Sequence, residues 1–517
     1  MAFSAKISDL IASDKTGLLA KHESWERVSL SDVATILNGA AFDSSLFSSS
    51  KGLPLIRIRD VLEGATSTFY DGEYESKYLV DHGDLLVGMD GDFHSGYWGH
   101  QTALLNQRVC KITTKSDFYD EKFLGYALPA YLSAINANTP SVTVKHLSSK
   151  TIGEILLPLP PKAEQGRIVE VLDRLISNLD SAAEELKSAH RKLEHYRRSL
   201  LKSAAEGTLT SKWRPTAIDL EPGSQLLERI LLERRSFWER QQLSKFAESG
   251  RSPPKNWQSK YPEPVSVDHT NLPTVPDGWT WATVDQLTRI QRYGTSAKTG
   301  SCSDGVPVLR MGNIQSGNII LDSVKYLPSN HSEFPILFLE DGDLLFNRTN
   351  SPELVGKTAV YRSQIVPCSY ASYLISVRLS ELCVPEFVSA VINSSFGRSW
   401  ISRVVTQQVG QANVNGTKLA ALAVPLPPLI EQEKIVEVLM SLQRSASDQD
   451  AALSRGAYQI EAERSSILRA AFAGKLTFQD SNGESAGELL ARIHEGRGKE
   501  LRGGLSSRSG RKPKAAA

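Results

Sequence analysis

The densest group of side chains that could do acid-base or metal chemistry lies in the segment MDGDFHSGYWGH. Asp90, Asp92, His94 and His100 supply carboxylates and imidazoles, which are common general acids, general bases and metal ligands. A second, similar half of the chain has NRTNSPELVGK at this place, without a matching carboxylate–histidine set. Two copies that differ in this way are more typical of two sites that recognise different targets than of one duplicated active site.

Other enzyme signatures are missing from the sequence. The segment SPELVGKT places Ser351 where a phosphate-binding loop needs its first glycine. We find no glycine-rich cofactor loop and no Asp-Pro-Pro-Tyr type tetrapeptide of an amino-methyltransferase. The four cysteines, Cys110, Cys302, Cys368 and Cys383, form no CxxC pair, which argues against a zinc site or a disulfide framework. We therefore expect no catalysis, metal or cofactor in this chain.

The elements that position these residues occur twice. Leu53 and Val306 begin the matching segments LPLIRIRDV and VPVLRMGNI at an offset of 253. Leu157 and Val424 begin LPLPPKAEQGRIVEVLDRL and VPLPPLIEQEKIVEVLMSL at an offset of 267. That offset persists to the GTLT and GKLT segments forty residues later. Length therefore varies in the first part of each repeat and is constant in the second, which suggests that the span of the second part is what the protein uses.

The constant part has the pattern of a coiled-coil helix that begins after a proline cluster. Apolar residues recur at alternating spacings of four and three. The seam in the first copy comprises Ile168, Leu172, Leu175, Leu179, Ala182, Leu186, Ala189, Leu193, Tyr196 and Leu200, and that in the second comprises Ile435, Leu439, Leu442, Ala446, Leu453, Ile460 and Ile467. About 40 residues make a rod of roughly 60 Å. We expect the two rods to pair antiparallel, with packing in a larger core as the alternative.

The fold class predicted is α/β (α+β), with two globular domains separated by the two long antiparallel helices in a pseudo-two-fold tandem repeat. The boundaries are an N-terminal segment (1–24), first domain (25–156), first spacer helix (157–210), helical segment and Pro-rich linker (211–278), second domain (279–424), second spacer helix (425–477) and a C-terminal segment with a basic disordered tail (478–517). The 517 residues have a net charge of +1 and no run of 18 apolar residues. A cytoplasmic protein is expected.

Taken together, the twin PLPPxxEQ…IVEVL helices, the G-x-L-T ends, PPKNWQ and PDGWTWATV resemble the specificity subunit of a type I restriction-modification system. The resemblance covers nearly the whole chain. It implies two target recognition domains that each read one half of a split, asymmetric double-stranded DNA site. It implies no catalysis in this chain, and two methyltransferase subunits and two translocase-nuclease subunits as partners. S-adenosylmethionine, ATP and Mg are expected in those partners, which methylate adenine and cleave DNA. The stretch before Trp25 and the basic tail depart from the shortest family pattern.

Base edges are recognised by side chains whose donors and acceptors match them. The first-domain candidates are Asp90, Asp92, His94, Asn106, Gln107, Arg108 and Lys145, beside His146. The second-domain candidates are Asn347, Arg348, Asn350, Gln407, Gln408, Gln411, Asn413 and Asn415. Each has the alternative role of a loop cap or solvated side chain. Arg57, Arg59 and Arg310 are candidates for phosphate contacts, with a strand-end salt bridge as the alternative.

Basic residues on the first helix suggest either a docking face for an acidic partner or DNA, or simply a solvated face. They are Lys187, Arg191, Lys192, Arg197, Arg198 and Lys202. A structural coiled-coil scaffold with two protein-binding heads remains as the alternative function, and a self-sufficient nuclease or methyltransferase as a further one.

Overall fold

The computed structural model describes residue 3 and residues 5–140, 144–301, 303–408, 411–480 and 483–508, without the side chains of residues 407, 408 and 498–508. Its helices are α1 (Ile7–Ala12), α2 (Leu30–Val33), α3 (Asp60–Glu63), α4 (Glu121–Ala137), α5 (Ser149–Gly153), α6 (Lys162–Ala205), α7 (Gly223–Glu248), α8 (Val284–Leu287), α9 (Pro385–Asn393), α10 (Ser395–Val404), α11 (Gly416–Ala420), α12 (Leu429–Phe472) and α13 (Ala486–Arg508).

The strands are short, and they fall into two groups along the chain. The first group is β1 (Glu26–Ser29), β2 (Ala34–Asn38), β3 (Phe47–Ser48), β4 (Leu53–Ile56), β5 (Phe69–Tyr70), β6 (Leu79–Val80), β7 (Leu85–Gly88), β8 (His94–Tyr97), β9 (Ala103–Leu105), β10 (Val109–Thr114) and β11 (Leu156–Leu159). The second is β12 (Thr280–Thr283), β13 (Thr288–Tyr293), β14 (Val306–Leu309), β15 (Ile314–Gln315), β16 (Asn318–Ile319), β17 (Lys325–Leu327), β18 (Leu344–Asn347), β19 (Thr349–Asn350), β20 (Thr358–Val360), β21 (Ser369–Tyr370), β22 (Leu374–Leu379), β23 (Thr406–Gln408), β24 (Gln411–Asn413) and β25 (Ala423–Leu426).

The chain divides into two compact units. Unit 1 comprises Met1–Leu186 with Arg455–Ala517, and unit 2 comprises Lys187–Ser454. Each unit therefore contains one globular domain, part of α6 and part of α12. Both helices are 44 residues long, or roughly 66 Å at 1.5 Å per residue.

The two domains share one topology, which confirms the prediction of a tandem α/β repeat. In unit 1 a four-stranded sheet has the order β2-β10-β7-β8, and β1 pairs with β11. In unit 2 the corresponding sheet has the order β13-β22-β18-β20, and β12 pairs with β25. All neighbours within these sheets are antiparallel. The duplicated sequence has therefore kept its strand pairing.

The segments of α6 and α12 that share a unit lie antiparallel. In unit 1, Ile168 and Leu172 share a core cluster with Ala471 and Phe472, whereas Leu186 lies beside Gly456. In unit 2, Leu200 shares a core cluster with Ile435, Val436 and Leu439, whereas Arg197 reaches the carbonyl of Ala446 at 3.3 Å. As α6 advances, its contacts in α12 move back along the chain, and this confirms the predicted antiparallel pairing.

The packed faces of the helices are mostly those that the heptad pattern indicates. The seam residues Ile168, Leu172, Leu193, Leu200, Ile435, Leu439 and Ala446 are buried, and Leu175, Leu179, Ala182, Leu186, Ala189, Leu442, Leu453, Ile460 and Ile467 are half-buried. The prediction for Tyr196 is wrong, because its side chain is 42% exposed. Arg197 lies inward in its place, and Ile176 is buried although it is outside the predicted seam.

A buried Glu-Gln pair fixes the start of each long helix. Gln165 accepts a hydrogen bond, at 2.7 Å, from the backbone N–H of Asp120, which caps α4. Gln432 accepts a hydrogen bond, at 3.0 Å, from the backbone N–H of Val384, which precedes α9. Both glutamines also donate to a proline carbonyl five residues earlier. The PLPPxxEQ motif therefore joins each long helix to its own globular domain.

One helical stretch is divided in two, and the prediction of a disordered tail is wrong for the part that ends at Arg508. The stretch PEFVSAVINSSFGRSWI forms two helices, α9 and α10, because Ser394 breaks the first and its hydroxyl accepts from the N–H of Gly397 at the start of the second. Helix α13 continues to Arg508, into the stretch expected to be a disordered tail. Its buried Leu489 and Ile493 pack into the core of unit 1, and packing of this kind stabilises a helix whose local sequence is polar.

Candidate nucleic-acid interface

Polar side chains of the first domain gather at one end of the sheet β2-β10-β7-β8. The chain after β7 is tied to the residues before β10 by the bond from Met89 N to Arg108 O, at 3.0 Å. It is tied to the segment before α5 by the bonds from Leu147 N to Met89 O, at 2.7 Å, and from Gly91 N to Lys145 O, at 3.0 Å. Three segments that are distant in sequence therefore form one surface.

Asp90, Arg108 and His146 form a hydrogen-bonded set on this surface. Asp90 Oδ2 accepts a bond from Arg108 Nη1, and Asp90 Oδ1 lies 2.6 Å from His146 Nδ1. The carboxylate is only 14% exposed, whereas the side chains of Arg108 and His146 are 56% and 50% exposed. The carboxylate thus lies behind two outward-facing nitrogen groups. Because a carboxylate without a proton can only accept, it orients both of them.

The other first-domain candidates divide into exposed and engaged side chains. Asp92 and Gln107 are exposed. Lys145 is half-buried, and its Nζ donates to the backbone and side-chain oxygens of Asn136 at 2.7 and 2.6 Å. Through these bonds Lys145 connects the loop to α4, and its ammonium group does not face the solvent freely.

His94 and Asn106 are also engaged with the backbone. The two ring nitrogens of His94 lie 2.6 Å from the carbonyl oxygen of Asp92 and 3.1 Å from that of Ile58. Asn106 accepts a bond from the N–H of Gln107, as a turn residue does. Both residues therefore hold the shape of the loop, which was the alternative role for each candidate.

The second domain builds the same surface with other residues. Arg348 N donates to Tyr373 O at 2.9 Å, and Val414 N donates to Arg348 O at 2.9 Å. These bonds repeat those that involve Met89, Arg108 and Leu147 in the first domain. The surface bears Arg348, Asn350, Gln411, Asn413 and Asn415, of which Gln411 and Asn415 are exposed and the others half-buried.

The prediction that Asn347 reads a base does not fit the structure. Its side chain has no exposed surface, and its Nδ2 donates to the carbonyl of Leu354 at 3.4 Å. Asn415 caps α11 through a bond from Lys418 N at 2.9 Å. Gln407 and Gln408 belong to β23, but their side chains lie outside the described residues.

The predicted phosphate contacts have different environments. Arg57 is exposed, and Arg59 is exposed with its Nε 3.4 Å from Asp60 Oδ1. Arg310 is half-buried and donates to the carbonyl of Ser323 at 2.9 Å. The backbone N–H groups of Arg57 and Arg310 are bound alike, by Asp60 Oδ2 and Asn313 Oδ1. The two turns match, although only the first presents an exposed arginine.

Two tyrosines of the second surface were missed by the sequence reasoning. Tyr373 is 48% exposed and Tyr293 is 45% exposed, and Arg348 lies over the ring of Tyr293, 4.8 Å from its centroid. Tyr293 also accepts the N–H of Gly416 at 2.8 Å, while the matching Asn38 of the first domain donates to Ser149 at 3.0 Å. Alignment of the strand ends of the two repeats would have pointed to these positions.

The described part of the chain contains neither a metal-binding cluster nor a helix suited to cross a membrane. Among the described side chains, no group of three His, Cys, Asp or Glu residues could hold a metal ion. The ring of His100 meets that of Trp98 edge to face, with the centroids 6.2 Å apart. In the described ranges no helix combines the length and the apolar character that a membrane span requires.

Comparisons with known proteins agree with this architecture. A family model for the type I restriction modification DNA specificity domain matches residues 22–189 and 276–451. The chain is 33% identical over 485 residues to the specificity subunit of type I restriction enzyme EcoBI from Escherichia coli, over 93% of this chain and 92% of that protein. It is 24% identical over 475 residues to the specificity subunit of type I restriction enzyme EcoKI from E. coli strain K12, over 88% of this chain and 90% of that protein.

A solved chain from work on complex assembly and conformational transition of the type I R-M system has a similar fold. Its TM-score is 0.54 at 14% identity, over 88% of this chain and 99% of that chain. The two family matches fall on the two repeats that the sequence and the topology define. This chain belongs to the family of type I restriction-modification specificity subunits.

Proposed function

We propose that this chain reads a bipartite, asymmetric double-stranded DNA site and directs two methyltransferase subunits to methylate adenine there. Two ATP-driven restriction subunits would complete the complex that cleaves unmodified DNA. S-adenosylmethionine, ATP and Mg belong to those partners in this proposal. This chain supplies recognition alone, and the chemistry is theirs.

The observation that carries the proposal is a backbone arrangement that occurs in both domains with unlike side chains. The bonds around Met89 and Arg348 are the same, but Asp90, Arg108 and His146 in one domain correspond to Thr349, Tyr373 and Asn413 in the other. Sequence-specific recognition requires different donor and acceptor sets for different bases. An asymmetric site therefore favours one framework with two sets of side chains.

The equal lengths of α6 and α12 support a fixed gap between the half-sites. Positions on one face of B-DNA repeat every ~34–36 Å, so the distance and phase of two readers must both be set. Arg197, one of the basic residues considered for docking, lies 3.3 Å from Asp450 Oδ2 within unit 2. Arg191 and Lys192 are exposed and better suited to an acidic partner or to DNA.

The test is binding by the chain assembled with its methyltransferase subunits. Sequencing of methylated adenines in cells with and without the operon gives the motif. The assembled complex should then bind a duplex with that motif far more tightly than a random duplex of equal length. Equal affinity for both duplexes would contradict the proposal and favour a scaffold with two protein-binding heads.

An exchange of one domain makes the test sharper. Replacement of residues 25–156 with the matching domain of another specificity subunit should change one half of the motif and leave the other half and the gap unchanged. The purified chain alone, with S-adenosylmethionine or with Mg and ATP, is the control for the enzyme alternative. Methylation or cleavage by that sample would contradict the assignment of all chemistry to partners.

A further inference from the structure

At three matching backbone positions the two reading surfaces carry chemically different side chains. Asp90 and His146 form a backbone bridge in unit 1, as Thr349 and Asn413 do in unit 2. In unit 1 the N–H of Met89, the residue before Asp90, donates to the carbonyl of Arg108. In unit 2 the N–H of Arg348, the residue before Thr349, donates to the carbonyl of Tyr373. We call Asp90, Arg108 and His146 the first triplet, and Thr349, Tyr373 and Asn413 the second triplet.

We propose that Arg108 reads a guanine in the major groove, that Asp90 positions it, and that the second triplet gives the other domain a different specificity at the same place. This inference rests on the proposed function, because it assigns side chains to the DNA site. It assigns the recognition of one base to one named side chain.

Arg108 has the donors that guanine requires. A guanidinium carries five N–H donors in a planar fork, and guanine presents O6 and N7 as two adjacent acceptors in the major groove. Nη1 contacts Asp90, and more than half of the side chain surface remains exposed. The other N–H groups are therefore available for two parallel bonds to a base edge.

Asp90 acts through Arg108 and not on the DNA. Its side chain is only 14% exposed and contacts both Arg108 and His146, so that its repulsion of phosphate is reduced. Fixing the guanidinium before DNA arrives lowers the entropy lost on binding, which is largest for long side chains. An arginine held in this way discriminates between bases better than one that must be ordered by the DNA.

His146 adds a group of opposite character beside the guanidinium. Since Asp90 accepts from Nδ1, the proton of a neutral ring lies on Nδ1 and leaves Nε2 as an acceptor. Amine groups in the major groove belong to adenine and cytosine. With that neutral ring, the first triplet combines a double donor for guanine with an acceptor for a neighbouring or paired base.

The second triplet cannot make the same contacts. It contains no carboxylate and no cation, and Asn413 Nδ2 donates to Thr349 Oγ1 at 3.2 Å. Tyr373, which is 48% exposed, carries a single hydroxyl at the position where Arg108 carries a fork of N–H donors. Matching backbone positions thus carry chemically different groups at one point of each domain, as two unlike half-sites require.

The experiment uses duplexes in which one guanine of the motif at a time is replaced by 7-deazaguanine, which lacks the N7 acceptor. The wild-type complex with methyltransferase subunits should lose about tenfold to a hundredfold in affinity at one guanine that Arg108 contacts. The Arg108→Ala complex should bind the substituted and unmodified duplexes equally at that position and keep the wild-type response elsewhere. Asp90→Asn should give an intermediate loss of discrimination, with subunit assembly unchanged.

Lys77→Ala is the matched control, because it removes one positive charge from the same domain where Lys77 pairs with Glu75. That variant should retain the full wild-type response to 7-deazaguanine. Should Arg108→Ala fail to fold, Arg108→Lys keeps the charge without the fork and should lose the same response. An unchanged response in the arginine variants, or a motif half without guanine, would overturn the inference. Absence of any sequence preference in the wild-type complex would instead overturn the proposed function.

Discussion

At the scale of residues, two buried carboxylates show how similar positions acquire different electrostatics. Glu164 accepts from the indole N–H of Trp25 at 3.0 Å and from Gln479, both neutral donors. Glu431 accepts from the indole of Trp279 at 2.9 Å and also from Nε of the Arg214 guanidinium at 2.8 Å. Burial raises the pKa of Glu164, against hydrogen bonds from Gln479 and Trp25 that lower it.

The indole bond at Glu164 should be measurable. Trp25→Phe keeps most of the apolar volume but removes a donor to a buried carboxylate, so we expect a loss of about 1.5–3 kcal/mol in the free energy of unfolding of unit 1. Urea unfolding followed by circular dichroism measures it. Trp281→Phe is the control, since that indole donates to an exposed backbone carbonyl of Pro273 at 3.3 Å. Equal losses in the two variants would contradict the expectation.

The raised pKa of Glu164 predicts a pH dependence with a defined sign. The folded state holds the proton of this carboxyl more tightly than the unfolded chain does. Its stabilising contribution is therefore complete below the unfolded pKa and is lost as pH rises through the folded pKa. The thermal midpoint of the wild type relative to that of Glu164→Gln should rise as pH falls from 7 toward 4.5. A constant difference over this range would be evidence against the shift.

At the scale of elements, α6 and α12 combine an apolar seam with specific polar contacts. Within unit 1 Asp180 pairs with Arg464, and within unit 2 Arg197 and His190 both approach Asp450. Half-exposed ion pairs of this kind contribute little to stability, at about 0–1 kcal/mol. Their value is in register, because a shift of one helix along the other separates each pair.

A deletion in the helices tests their role in setting the gap. Removal of residues 183–189 from α6 shortens it by about 10 Å, which corresponds to roughly three base pairs. We expect the methylated motif to have a different gap, or methylation to be lost because the registers no longer match. Methylome sequencing measures both outcomes.

The matched control is a double deletion that also removes residues 453–459 from α12. It keeps the helices equal in length, so it should retain pairing better than the single deletion. An unchanged gap in both variants would be incompatible with helices that determine spacing.

At the scale of the whole molecule, each unit contains a helix that follows a long helix. In unit 1, Leu489 and Ile493 of α13 join the core, and Arg497 pairs with Asp32 at α2. In unit 2, α7 contributes Leu226, Ile230 and Arg234 to the same pattern, and Arg234 lies 3.1 Å from Asp285 at α8. The C-terminal segment thus belongs to the fold of the first domain, although hundreds of residues separate them.

This arrangement predicts unit-specific effects of two matched substitutions. Leu489→Ala and Leu226→Ala each remove a fully buried leucine and should cost about 2–5 kcal/mol. Hydrogen exchange resolved by peptide should increase in unit 1 for the former and in unit 2 for the latter. Each variant should weaken recognition of one half-site. A uniform increase throughout the chain would contradict the division into two units.

The sequence by itself determined the repeat, the two long helices and the family. Self-similarity at a constant offset and heptad spacing are local patterns, and they require no knowledge of which distant segments meet. Tyr196, a residue of the predicted seam, is exposed, whereas Arg197 lies inward. An α-helix has 3.6 residues per turn, so a seam extrapolated at 3.5 drifts around the helix over several heptads.

Only the tertiary structure decided which polar residues share the two candidate surfaces. Arg108 and Asp90 were candidates on composition, as Asn347 and Lys145 were, but only the first two share an outward-facing hydrogen-bonded set. Tyr373 occupies the position that matches Arg108, but it was not among the candidates in the sequence. Exposure and partnership of a loop side chain depend on long-range strand pairing, and a single sequence does not specify that pairing because each loop is locally compatible with many arrangements.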